Sequence, residues 1–182
     1  MISNSLKPKK AGVSFVLILL LFVFARPGFG GEAGRIYSEA KSAARRGKQD
    51  FAFIRFDSLL RRFPDSRYAQ DALFANGEYY FQIGDYRDAV RIFKKLAQKY
   101  PDSKSKPFDL AYRLRIAREE DDQELVQDLE KEIVAFERLS LFFRESKEHQ
   151  YRSPLNRKHK VIYFIDKVEF YVDGELFEKV SY

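Results

Sequence analysis

The chain of 182 residues contains no cysteine and no tryptophan, one methionine and two histidines. Without cysteine there is no disulfide scaffold, no thiolate ligation of zinc or an iron–sulfur cluster, and no thiol nucleophile. Lipid attachment at a signal-peptide cysteine is excluded for the same reason. His149 and His159 are the only imidazoles, ten residues apart in polar stretches with no acid or nucleophile in a fixed relation, and they read as surface residues. No Gly-rich phosphate loop, nucleophile elbow or metal-ligand spacing occurs. Glu119-Glu120-Asp121-Asp122 bunches four carboxylates, but in a turn between helices, where acids also favour the N-terminus of the helix that follows. These absences argue against an enzyme, and neither a cofactor nor a metal is expected. What the chain does have is 45% hydrophobic and 33% charged residues, with 18 Phe and 11 Tyr, the composition of a folded domain with one real core.

The charge balance is formally +6, but Lys7, Lys9, Lys10 and Arg26 fall within residues 1–30, which hold no acid, so the remainder carries only +2. Nucleic-acid binding is therefore not indicated. The same segment has an apolar run from Ala11 to Ala25, followed by Arg26-Pro27-Gly28-Phe29-Gly30-Gly31. Positive charge, a short apolar run and small residues make a secretory signal layout, with cleavage expected after Gly30. A spanning helix wants about 20 apolar residues, more than this run supplies. The expected location is periplasmic or secreted, with membrane association, as an inner-membrane anchor facing the periplasm, only if the segment stays attached.

Phe63-Pro64-Asp65-Ser66 returns as Tyr100-Pro101-Asp102-Ser103 at an offset of 37 residues, and the same offset carries Gly47 onto Gly84, Ala52 onto Ala89, Phe56 onto Phe93 and Leu59 onto Leu96. Periods of about 20 to 50 residues signal stacked solenoid units. In the second copy Leu73, Gly77 and Tyr80 share a helical face, Gly84-Asp85-Tyr86 breaks it, and Ala89, Phe93 and Leu96 resume it as far as Pro101. The pattern predicts helix, turn, helix. Gly77 and Ala89 permit close helix approach, Phe93 and Tyr80 fill the space between pairs, and Asp102 or Ser103 is expected to cap the next helix.

Leu73, Gly77, Tyr80, Ala89, Phe93 and Pro101 together resemble the tetratricopeptide repeat (TPR) family. A first copy has Ile36, Ala40, Ala43, Ala52, Phe56, Leu59 and Pro64. A third runs through Pro107, Leu110, Leu114, Ala117 and Val126, with Glu130 where the Phe should be, and reads as a capping unit. The string Arg67-Tyr68-Ala69-Gln70-Asp71-Ala72-Leu73-Phe74, with Gly77-Glu78-Tyr79-Tyr80, is similar to periplasmic TPR proteins of the Gram-negative envelope. Those are the Tol–Pal-associated division coordinators and the lipoprotein of the outer-membrane barrel-assembly machinery. The resemblance implies a scaffold that docks envelope proteins or peptides without chemistry of its own. It also implies a partner groove along the leading helices, formed here by Tyr37, Lys41 and Arg45, then Phe74, Glu78 and Phe81, then Ala111, Arg115 and Arg118. Aromatics flanked by cations suit an extended peptide bearing carboxylates.

Leu125, Leu129, Ile133, Phe136 and Leu139 step by three or four and predict an amphipathic closing helix that continues toward Glu148, with Leu141-Phe142-Phe143 as an apolar cluster at its end. Residues 151–160 carry a basic run broken by Ser153-Pro154 and read as a solvated linker. Beyond it Ile162, Phe164, Val168, Phe170 and Val172 are expected on one side of a single strand. Asp173-Gly174 forms a type I′ turn, and Glu175 to Val180 returns with Phe170 opposite Phe177, Tyr171 opposite Leu176 and Glu169 opposite Glu178. The expected fold is mainly α. It comprises a signal peptide over 1–30, a TPR-like helix-turn-helix solenoid of two to three repeats plus a capping helix over 31–150, the linker, and a β-hairpin over 161–182. A lone hairpin is marginal in water, so this one must lean on the helix or offer its edge to a partner strand. The functional expectation is an exported adaptor. The alternatives are a subunit that self-associates through the hairpin, and a small periplasmic hydrolase or wall-binding accessory; the oligomeric state stays open.

Overall fold

A computed structural model describes residues 31–137 and 146–181. The export segment over 1–30, and Leu139 with the Leu141-Phe142-Phe143 cluster, lie outside the described residues. Six helices come first: α1 (Glu32–Arg45), α2 (Gln49–Arg62), α3 (Ala69–Gln82), α4 (Tyr86–Lys99), α5 (Lys106–Glu119) and α6 (Gln123–Glu137). Four strands follow: β1 (Ser146–Arg152), β2 (Lys158–Phe164), β3 (Lys167–Val172) and β4 (Glu175–Ser181). The leading helices begin at Glu32, Ala69 and Lys106 and the trailing ones at Gln49, Tyr86 and Gln123, so both series step by the 37 residues of the sequence repeat. The architecture is mainly helical, a TPR-like array with a C-terminal antiparallel sheet.

Each turn inside a repeat needs one residue with left-handed backbone, and the repeat supplies it at matching places: Gly47 at φ 73°, Gly84 at φ 77° and Asp121 at φ 56°. Glycine adopts that conformation without a Cβ penalty, and aspartate tolerates it better than most residues. Asp85 then accepts a hydrogen bond from the backbone N–H of Asp88, capping α4. The expected cap on α5 is absent. Ser105 stands at its N-cap without a side-chain bond, and Ser103 Oγ instead accepts from the Ser105 N–H at 3.1 Å and from Gln70 Nε2 at 2.8 Å.

Close packing centres on Gly77, where a Cβ would fall 2.6 Å from the Phe93 ring. Phe93 in turn stacks on Tyr112 of the next repeat, with centroids 5.3 Å apart. Lys99 Nζ donates to the Pro64 carbonyl at 2.8 Å and pairs with Asp65 at 2.7 Å, tying the two Pro turns together. In the third repeat Glu130 occupies the slot of Phe56 and Phe93 and pairs with Arg118 at 2.6 Å. Leu129, Ile133 and Val126 keep α6 against the array.

The C-terminal region is larger than a hairpin. The sheet order is β1-β2-β3-β4, and the expected linker is part of it. Tyr151 and Arg152 end β1, Lys158 to Lys160 open β2, and Ser153, Pro154 and Leu155 between them are buried. Chain that was expected to extend the closing helix toward Glu148 is strand from Ser146 onward. The single expected strand is two, split at Ile165-Asp166. The turn restarts the alternation, so Val161 and Tyr163 face the core in β2 while Ile162 and Phe164 do not; Val168, Phe170 and Val172 face it in β3. Asp173 at φ 54° and Gly174 at φ 95° make the β3–β4 turn. Tyr171 lies opposite Leu176, but a bulge between Phe170 and Tyr171 then shifts the register. Phe170 thus faces Glu178 rather than Phe177, and Glu169 faces Lys179 rather than Glu178, which replaces a repulsion with an attraction.

Candidate functional site

The leading helices of a helical-repeat array present one face inward, and here the chain's own sheet fills it. Phe74 in α3 meets Tyr151 of β1 at 5.3 Å and His159 of β2 at 5.6 Å, centroid to centroid. Phe108 in α5 stacks on Tyr151 at 5.9 Å and on His149 at 5.8 Å. Phe177 of β4 packs on Phe81 at 5.6 Å and on Tyr112 at 4.9 Å. Each aromatic pair adds about 0.5–1.5 kcal/mol beyond burial of area, so the sheet is a built part of the domain. The β1–β2 turn extends this contact to the first repeat. Leu155 is 1% exposed and joins Ile36, Ala40, Phe56 and Leu59 in a second core cluster.

At the centre lies a polar cluster sealed from water. His159 Nε2 stands 3.2 Å from Glu78 Oε1 and 3.1 Å from the Tyr112 hydroxyl, which also donates to Glu78 Oε1 at 3.2 Å. The His159 and Glu78 side chains are 0% exposed. Burial, with the Glu78 carboxylate beside it, pushes the Tyr112 hydroxyl well above its ordinary value and keeps it a neutral donor. Glu78 Oε2 and His159 Nδ1 have no hydrogen-bond partner among the described residues. The cluster ties α3, α5 and β2 together. The reading of His159 as a surface residue is thereby corrected; His149, whose Nε2 donates to the Lys104 carbonyl at 3.1 Å, is only partly covered.

The expected groove residues divide into two groups. Phe74, Glu78 and Ala111 are buried beneath the sheet, Phe81 is half-buried against Phe177, and Arg118 pairs with Glu178 of β4 while donating to the Lys179 carbonyl at 3.2 Å. An extended peptide cannot lie on them while the sheet is in place. Tyr37, Lys41 and Arg45 on α1 and Arg115 on α5 stay at least partly exposed. Tyr37 stacks on Tyr68 at 4.5 Å and donates to Asp71, Lys41 Nζ lies 5.3 Å over the Tyr37 ring, and Arg115 pairs with Glu119 at 3.1 Å. Burial and the bond to Asp71 raise the Tyr37 hydroxyl. Of the packing set expected from the repeat, Ala52, Phe56, Leu73, Gly77, Ala89 and Phe93 lie buried in the array, Tyr80 is partly buried, and Gly47, Pro64, Gly84 and Pro101 are exposed.

Sequence reasoning missed Tyr112, Tyr151, Leu155, His159 and Glu178. One signal was present: His159, Val161 and Tyr163 alternate with Lys158, Lys160 and Ile162, a period of two that puts the histidine on the apolar side.

Residues 71–103, from the first turn of α3 to the Pro101 turn, match the tetratricopeptide repeat family. No curated protein matches the chain. A tetratricopeptide repeat marks a protein–protein interaction scaffold, and such domains are as a rule non-catalytic.

Proposed function

We propose that the chain is an exported, non-catalytic scaffold that binds partner proteins in the bacterial cell envelope, within a complex for outer-membrane assembly or cell division. The repeat over residues 71–103, set in a six-helix array, carries this reading. The charged and apolar layout of residues 1–30 supports the compartment. Because the chain's own sheet occupies the middle of the inner face, the partner docks on what remains open, led by Lys41 and Arg45 toward the C-terminal end of α1. These cations suit a partner segment bearing carboxylates.

The test is crosslinked co-purification of the tagged full chain from its native host, with the Lys41→Glu/Arg45→Glu variant alongside. The expected result is a stoichiometric envelope protein that the variant no longer recovers. Recovery of the chain alone would replace the adaptor with a self-associating subunit. Cell fractionation provides a separate check, since a cytosolic chain would overturn the compartment.

A further inference from the structure

The outer face of the sheet carries its charges unevenly. Toward one end, acids and bases alternate: Glu169 lies opposite Lys179 and Lys167 pairs with Glu169 at 2.8 Å. At the other end the β1–β2 register sets Arg152 directly opposite Lys158, with Lys160 next on the same face of β2. Like charges directly opposite each other destabilise a sheet. Among the described residues no carboxylate is paired with Arg152, Lys158 or Lys160. Asp173, in the β3–β4 turn, is committed to Arg157 Nε and to the Lys158 backbone N–H, each at 2.8 Å. Glu148 accepts from Gln150.

These cations surround a cavity of about 470 Å³ that Gln150, Tyr171 and Gly174 also line. That volume lies within the range of small-molecule sites. The corner is also held in place. Arg152 donates to Asn156 Oδ1 at 3.2 Å and to its carbonyl at 3.4 Å, which leaves the rest of the guanidinium fork free, and Lys160 Nζ sits 4.7 Å over the Tyr171 ring. Gly174, at φ 95°, puts no side chain into the rim, and a Cβ there would meet nothing within 4 Å. Stability does not explain three unneutralised cations around a concavity, whereas recognition of a multiply charged anion does.

We propose that this corner is a binding site for a small, multiply charged oxyanion, phosphate- or carboxylate-bearing, which enters the cavity and is held by Arg152, Lys158 and Lys160. The site is independent of the partner-docking reading, because it lies on the outer face of the sheet and takes a small ligand.

Calorimetric titration of the full-length chain with pyrophosphate, glycerol 3-phosphate and citrate, each against sodium chloride of equal ionic strength, tests it. Pyrophosphate and citrate represent soluble phosphate and carboxylate ligands, and glycerol 3-phosphate represents a phospholipid headgroup. Saturable binding of at least one probe at one site per chain is expected, weakened at least tenfold in Arg152→Gln/Lys158→Gln/Lys160→Gln. The control Lys94→Gln/Lys95→Gln, which removes two exposed cations from α4, should bind as the wild type does. The ligand-free triple variant should melt higher than the wild type, because its like-charge pair is gone. If the triple variant does not fold, Lys158→Gln alone is held to the same comparison. Absence of saturable binding for all three probes, or an equal loss in the control, overturns the site.

Discussion

The helical array and the C-terminal sheet are held by opposite kinds of contact. In the array each helix packs mainly on its sequence neighbours, so Gly77 against Phe93 and Phe93 against Tyr112 bring together parts of one repeat and the next. In the sheet the decisive contacts span long stretches of chain: Tyr112 with His159, Leu155 with the first repeat, and Arg118 with Glu178. A repeat array is a sum of local units and nearest-neighbour interfaces. A sheet seated on such an array stabilises several units at once and couples them. The Phe of two repeats becomes Glu130 in the third, where it holds Arg118 for β4. The degenerate copy thus turns a packing position into a tie to the sheet, which also rests on Phe74 and Phe81 of the second repeat and, through Leu155, on the first.

Four substitutions bear on that contrast. Phe93→Ala removes the ring that touches Gly77, Phe74 and Tyr112. It should cost about 3–5 kcal/mol and lower the urea midpoint of array and sheet together; separate transitions would mean that the sheet is not seated as described. Leu155→Ala should cost about 2–5 kcal/mol. Hydrogen exchange should rise in residues 153–157 and in α1, with α4 little changed. Arg118→Ala leaves Glu178, 6% exposed, without its cation. A loss of about 1–3 kcal/mol is expected, read as faster amide exchange in β4 than in β2, and uniform exchange across the sheet would assign Arg118 no role there.

The fourth substitution is read through pH. Asp109 is 1% exposed, and burial, against the attraction of Arg113 at 3.2 Å, pushes its carboxyl up to about 7. A carboxyl whose folded value is raised contributes stability that is fully present below its unfolded value of about 4 and is lost as pH rises through 7. The urea midpoint of Asp109→Asn should therefore gain on the wild type between pH 4 and pH 8. A difference between the two that does not vary with pH would show that the Asp109 carboxyl is not raised in the folded chain.

The inner-face residues show where sequence reading reached its limit. The small and aromatic positions of the array were legible because helical spacing and a 37-residue offset repeat them in register. The groove lining was legible as a face but not as a covered one. Nothing local in Phe74 or Glu78 says that Tyr151 and His159 lie on them, since those partners are far away in the chain. The basic run over 151–160 misled because Arg152, Arg157, Lys158 and Lys160 give it a polar look. Strand pairing turns every second residue inward, so the same run holds both the open cations and the buried Leu155 and His159.

The sequence by itself determined the helical repeat, its turns at Gly47 and Gly84 and the Asp173-Gly174 turn, because each depends on residues close together in the chain: helical period, left-handed backbone and tight-turn chemistry. Only the tertiary structure decided that the sheet has four strands, that it fills the inner face, that a bulge sets Phe170 opposite Glu178, and that Arg152, Lys158 and Lys160 share one cavity. Those outcomes rest on register and on contacts between distant segments, and a one-residue shift in pairing sends every side chain of a strand to the other face.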